Sequence, residues 1–332
     1  MPNVSSPSTV ELVTKIWQRL LQTSELGADD NFFDVGGDSA LAVQLFAEIA
    51  QTCGRQFPPV MIYHVPTIAS QVELIEQPSQ PELSPLIPLK SGEDGHAVFI
   101  APGLGGGPAE FLELANHIEV PQAIYGLQPK GIEGFGEPSE RIEEMAEFYL
   151  QAIRQLQPHG PYTLIGYSLG GLVTLEMART LLANNEKIGL LLLLDAYPHI
   201  NALSASQRLL LLAQRATYRL SNFGQPERTD IRLGGLESAD DISTFAPAFD
   251  RVRAASYTAL RDYRPSFYPG KVKFVRAAEV SEFPEDPVAV WSHLVADLEV
   301  KTIPGDHLAM LTTHYEALAA LLTRYLKEAA VD

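Results

Sequence analysis

The run YTLIGYSLGGLVTLEMA, from Tyr162 to Ala178, constrains this chain more than any other stretch. Tyr162, Thr163, Leu164 and Ile165 form a short apolar, β-rich segment that reads as a buried parallel strand. Gly166-Tyr167-Ser168-Leu169-Gly170 follows, and then apolar residues recur at helical spacing: Leu172, Val173, Leu175, Met177, Ala178, Leu181 and Leu182. A strand that enters a helix through G-x-S-x-G turns so tightly that only small residues fit two before and two after the serine. The serine is lifted clear of the backbone and faces the helix N-terminus, where free N–H groups can receive an anion. An N-capping serine in an ordinary turn is the plainer interpretation, but the strand before and the helix after favour a nucleophile.

A serine nucleophile needs a base and an acid to orient it. In α/β-hydrolase order these follow as acid, then histidine. Of eight histidines, His307 has the right context, because it follows the strand Leu298 to Ile303 through Pro304-Gly305-Asp306. Sites in open α/β sheets collect at such strand ends. His314 is the alternative, within the start of a helix. Asp195 closes the apolar strand Ile188 to Leu194, where a charge must be paired or hydrogen-bonded. Glu279 and Glu282, after the next strand, are the rival acids. The oxyanion hole is expected from the backbone N–H of Leu169 and one from the PGLGGG run, with Leu104 preferred and Gly105 the alternative. That run lacks the last glycine of G-x-G-x-x-G, which argues against a dinucleotide site. No HExxH, paired CxxC or EF-hand spacing occurs, so no metal is expected.

Around this centre the chain divides by pattern. Residues 1–76 read as a small all-α bundle of four helices: a helix over 8–22, a second after Ser39, a short turn at Val60 to Tyr63, and a last one from Thr67 to about Ile75. Residues 77–92, with Pro78, Pro81, Pro85 and Pro88, read as a semi-extended linker. Treated as a flexible tether it would span roughly 20–25 Å. Residues 93–332 alternate strands with helices, as in an α/β-hydrolase, with a helical lid insertion at about 199–266. The net charge of −17 argues against nucleic acid and anionic membrane partners. A single cysteine, Cys53, excludes an intrachain disulfide. With no signal peptide and no apolar run long enough to span a bilayer, a cytoplasmic protein is expected.

The helical block resembles the carrier-protein domains of peptide and polyketide assembly lines over nearly all of residues 5–76. The string DNFFDVGGDS, Asp30 to Ser39, looks like the thiolation motif of peptidyl carriers. The resemblance implies that Ser39 is esterified by 4′-phosphopantetheine, with a phosphopantetheinyl transferase and upstream synthetase modules as partners. A phosphodiester suits the positive end of a helix dipole, and the two glycines ahead of Ser39 leave room for a modifying enzyme. A capping role for Ser39 is the plainer alternative, and Asp38 beside it is assigned to recognition only.

Residues 86–328 resemble the type I thioesterases that terminate nonribosomal peptide and polyketide synthesis, on GYSLGG, Asp195, the PGDH loop and the long insertion. The resemblance implies transfer of an acyl chain from a carrier thiol to Ser168, then release by hydrolysis or cyclisation. Carrier before thioesterase is also that family's domain order. Met1 and a few mostly polar residues precede the carrier, as in a free-standing didomain or an excised fragment. An editing thioesterase, a general serine carboxylesterase and a non-catalytic carrier module are the competing expectations.

Overall fold

The structure, a computed structural model, describes residues 8–57, 59–77, 84–132, 136–221, 239–279, 284 and 286–330. Two compact units divide the described residues: 8–84 together with 239–247 in the first, and 85–221 together with 248–330 in the second.

In the first unit α1 (Thr9–Leu20) begins in a reciprocal cap: Ser8 Oγ accepts from the Glu11 amide and Glu11 Oε2 accepts from the Ser8 amide, each at 3.3 Å. Its apolar face buries Val13, Ile16 and Trp17. α2 (Ser39–Cys53) is capped by Asp38, whose Oδ1 accepts from the Leu41 amide at 2.7 Å. Capping therefore belongs to Asp38, and Ser39 is the first helical residue. The two glycines have a reason within the fold. Gly36 has a φ of +97°, and a Cβ on Gly37 would lie 2.4 Å from the Phe32 ring.

The expected four-helix bundle becomes three α-helices and a 3-10 turn among the described residues. Pro59–Tyr63 closes as a 3-10 turn, before α3 (Ile68–Glu76) completes the unit. Trp17, Phe32, Leu45, Phe46, Ile49 and Ile68 make its core. The one indole donor buried there is met by Gln71 Oε1 at 2.9 Å.

The second unit is built on a seven-stranded sheet in the order β1-β3-β2-β4-β5-β6-β7. The strands are β1 (Leu86–Lys90), β2 (Glu93–Ala101), β3 (Gln122–Leu127), β4 (Tyr162–Tyr167), β5 (Ile188–Leu194), β6 (Tyr268–Ala277) and β7 (Val295–Ile303). All neighbouring pairs are parallel except β1 with β3. β4 and β5 are buried almost throughout, as strands covered on both faces must be.

β1 corrects the linker boundary: residues 86–90, placed in the tether by their prolines, form an edge strand. Leu86, Ile87 and Leu89 point inward while Pro88 is exposed, and the register shifts between Pro88 and Lys90. An edge strand tolerates a proline, because one side of its backbone needs no partner.

The helices are α4 (Leu112–His117), α5 (Ile142–Leu156), α6 (Leu169–Ala183), α7 (Ala205–Ser221), α8 (Ala239–Asp262), α9 (Pro287–Trp291), α10 (Ala309–Thr312) and α11 (Tyr315–Ala329). α5 packs beside α6, and α4 beside α11. The expected lid insertion contains α7 and α8, and the Gly- and Asp-rich middle of that insertion lies outside the described residues. From α8, Val252, Ala255 and Ala259 are buried. Among the described residues no helix is long and apolar enough to cross a membrane.

Candidate active site

The sequence-expected residues of the second unit lie after the carboxyl ends of β2, β4, β5 and β7. Ser168 follows β4 with φ +54° and ψ −119°, a conformation that costs a non-glycine residue about 1–3 kcal/mol. Two backbone hydrogen bonds hold it there: its amide donates to Leu194 O at 2.9 Å, and its carbonyl accepts from Gly171 at 3.1 Å. The small residues flanking it are enforced by contact. A Cβ on Gly170 would lie 2.3 Å from the Ala101 carbonyl oxygen, and one on Gly166 would lie 2.3 Å from that of Gly170. The strand and helix can approach this closely only without side chains at both positions.

Asp195 follows β5 and is 3% exposed. Its amide donates to Val275 O at 2.8 Å, and its Oδ1 accepts from the Ala277 amide at 3.3 Å, both on β6. The other oxygen, Oδ2, accepts from His307 Nδ1 at 2.8 Å. A carboxylate can only accept, so with Asp195 in that form Nδ1 is the donor, and a neutral imidazole then keeps its lone pair on Nε2. The buried charge is thus met on both oxygens, as its burial requires.

His307 is steadied from a second side. Its ring stacks on Tyr167 with centroids 4.7 Å apart and planes at 21°. Tyr167 Oη also donates to the His307 carbonyl at 2.8 Å. The residue that anchors the imidazole is therefore the one preceding Ser168 in the chain. Of the rivals, Glu279 is exposed, and its amide donates to Gly305 O. Glu282 lies outside the described residues. His314 stands at the start of α11, with its ring against Gly305.

The loop after β2 carries Leu104. Its neighbours' amides are already engaged: Gly103 donates to Glu110 Oε1 at 3.4 Å, and Gly106 donates to Gly103 O at 3.2 Å. Leu104 and Gly105 remain as the candidate donors, and Leu169, first residue of α6, has no acceptor one turn earlier. A Cβ on Gly103 would lie 3.4 Å from Ser168 Cβ, so this loop borders the serine. A cleft opens beside it, walled by Leu169, Val173, Met145, Phe148 and Val252, with Lys130 among its lining residues. The Lys130 ammonium lies 5.1 Å above the Phe148 ring.

Two residues near the site had no signature in the sequence. Tyr167 occupies the free position of G-x-S-x-G, and its hydroxyl is pushed well above the ordinary tyrosine range. Desolvation is the main cause, followed by the carboxylates of Glu110, Asp195 and Asp306. Glu110 lies beyond the glycine loop and is marked by its contacts with Gly103 and Gly106.

Ser39 belongs to the first unit, at the N-terminus of the 15-residue helix α2 and between the exposed Asp38 and the amphipathic Leu41 turn. A serine there fits a phosphate ester: the helix end favours the negative charge, and the cap is supplied by the neighbouring aspartate.

A strained serine after one strand, a buried aspartate after the next and a histidine bonded to it define an α/β-hydrolase-like unit. Residues 96–326 match the thioesterase domain family, and residues 11–75 match the phosphopantetheine attachment site family. The chain belongs to the thioesterase family, with a phosphopantetheine carrier domain ahead of the enzyme. It is 31% identical over 290 residues to a dimodular nonribosomal peptide synthase of Bacillus subtilis (strain 168), across 84% of this chain and 12% of that protein. The chain thus spans about an eighth of that relative's length.

Among solved structures, a four-domain nonribosomal peptide synthetase, holo-AB3403 bound to AMP and glycine, matches with a TM-score of 0.60. The match is at 23% identity, over 97% of this chain and 27% of that one. The NocB thioesterase domain, in covalent complex with a fluorophosphonate nocardicin G analogue, matches with a TM-score of 0.51 at 22% identity, over 70% of this chain and 95% of that one. Both likenesses are of fold.

Proposed function

We propose that this thioesterase releases an acyl or peptidyl chain from the carrier domain through a serine acyl-enzyme, with Ser168 as nucleophile, His307 as general base and Asp195 as the group that orients it. In this account residues 1–76 are the carrier, residues 85–332 the enzyme with β1 as its edge strand, and the insertion at about 199–266 its lid. Ser39 is the attachment point of 4′-phosphopantetheine, added by a phosphopantetheinyl transferase and loaded by upstream synthetase modules. When bound, that group supplies a flexible arm ending in a thiol that can carry the acyl chain as a thioester.

The observation that carries the proposal is the 2.8 Å bond between the buried Asp195 and His307 Nδ1, set beside the strained turn that presents Ser168. His307 Nε2 takes the proton of the Ser168 hydroxyl as the oxygen forms its bond to the thioester carbonyl. The carbonyl π electrons move to oxygen, and the amides of Leu104 and Leu169 hydrogen-bond that oxyanion. Each such donor is worth about 2.7–4 kcal/mol. As the carbonyl re-forms, the C–S bond breaks and the imidazolium returns the proton to the departing sulfur. Water or a nucleophile within the acyl chain, deprotonated by the same His307, then attacks the Ser168 ester; the ester C–O bond breaks, the imidazolium returns the proton to Ser168 Oγ, and the free acid or a ring leaves. The apolar cleft beside Leu169 suits an acyl chain in this position.

The test compares Ser168→Ala with Ser39→Ala, on a small soluble acyl thioester and on acyl-loaded chain. Ser168→Ala is expected to slow turnover of both by roughly 10⁴-fold or more. Ser39→Ala should leave the soluble thioester unaffected and abolish loading. Unchanged release in Ser168→Ala would leave the enzyme unit as scaffold, while loading that survives Ser39→Ala would remove the carrier half of the proposal.

A further inference from the structure

Glu110 sits in the 3-10 turn Pro108–Phe111 that follows the glycine loop. Its carboxyl is tucked against that loop. Oε1 accepts from the Gly103 amide at 3.4 Å, and a Cβ on Gly106 would lie 2.6 Å from Oε1 and 3.0 Å from Oε2. The groups around it are mostly acidic or neutral. Tyr167, from the end of β4, is within electrostatic reach of Glu110, of Asp195 after β5 and of Asp306 after β7. The ring of His307 stacks against Tyr167.

From α8, the stem of Arg253 passes over Gly105, but its guanidinium donates outward to Asp250 at 2.6 Å. Among the described residues, no cation offsets the desolvation of Glu110. The residue as a whole is half-buried, but desolvation of its carboxyl against the loop pushes it up to about 8, against the smaller opposing effect of the Gly103 hydrogen bond.

We propose that Glu110 is a positioning residue for the oxyanion loop and that it works as the neutral acid. Protonated, it holds Gly103 and Gly106 so that the amides of Leu104 and Gly105 stay available to the substrate oxygen. Ionised, it places a negative charge beside the point where the oxyanion develops and opposes it. This rests on the catalytic assignment of Ser168 and adds a reason for the rate to fall in mildly alkaline solution. Tyr167 is not the source of such a fall, because its hydroxyl titrates far above that range.

The experiment follows phosphonylation of Ser168 in the full chain by a fluorophosphonate probe, by intact mass, as a function of pH. Wild type, Glu110→Gln and Glu110→Leu are compared. Gln keeps an acceptor for Gly103 and cannot ionise; Leu removes the acceptor. The wild-type rate is expected to fall by about tenfold per pH unit above a pH of about 8. Glu110→Gln should hold a plateau across the same range. Glu110→Leu should be slower by about tenfold to a hundredfold at every pH.

An alkaline fall in Glu110→Gln equal to that of wild type would overturn the proposal, as would wild-type labelling by a folded Glu110→Leu. If Leu does not fold, the Gln profile alone decides. Absence of Ser168 labelling in wild type would sink the catalytic assignment and this proposal with it. Normal labelling without release of carrier-bound acyl would sink only the proposed function, leaving the role of Glu110 standing.

Discussion

Asp195 meets the β6 backbone through one oxygen and His307 through the other, so both lone-pair directions of a buried carboxylate are used. Replacing it by asparagine keeps the shape but can turn an N–H towards His307 Nδ1, which then carries no proton and leaves Nε2 protonated. Asp195→Asn is therefore expected to fold as wild type and to lower kcat on a soluble thioester by roughly 10⁴-fold, read by steady-state kinetics beside a thermal melt. A loss of only a few-fold would show that the carboxylate is structural.

At this scale the sequence spoke clearly where chemistry needs a motif. The tight turn at Ser168 was legible from the glycines around it, and the pairing of His307 with Asp195 from their places after apolar strands. Tyr167 and Glu110 were not, because their roles come from ring stacking and enclosure created only when four strand ends converge.

The elements obey local rules more closely than their outlines suggest. β4 and α6 are fused so tightly at the elbow that two glycines are required by contact distance. In the carrier unit, Asp38 takes the cap that a first look at the sequence could equally give to Ser39. An aspartate before the helix and a serine within it carry nearly the same signal. The strand β1 was hidden for the opposite reason: prolines that read as linker are compatible with a sheet edge.

The same unit holds an acid-sensitive residue. His64 has its Nε2 buried without a partner among the described residues, and desolvation lowers its pKa to about 4. In the unfolded chain it would titrate near 6.5. As pH falls between these values, the unfolded state takes up a proton that the folded state refuses, so stability drops across that window. Above it the group contributes no pH dependence, and below it the loss is complete. His64→Phe should reduce the loss of stability between pH 6.5 and 4 by an amount of order 2 kcal/mol. Hydrogen exchange of α1 and α3 peptides measures this. An unchanged acid dependence would show that His64 is solvated in solution.

For the whole molecule, the proposed release from a carrier to a thioesterase in one chain would be an intramolecular event, governed by effective concentration and not by encounter. The switch from helical to alternating strand and helix periodicity made this two-part organisation readable from the sequence. What the sequence could not carry was the form of the cleft, since its walls come from α5, α6, α8 and the loops after β2 and β3. Those surfaces meet only through the fold.

The central claim is that one serine holds the cargo and a second takes it. Its most direct measurement is peptide mapping of chain that has been loaded at Ser39 with an acyl group and quenched at short times. The acyl mass is expected to leave the Ser39 peptide and to appear transiently on the peptide containing Ser168, and to remain on Ser39 in Ser168→Ala. Loss of the acyl group from Ser39 at the wild-type rate in Ser168→Ala, with no acylated Ser168 peptide at any time in wild type, would contradict the account.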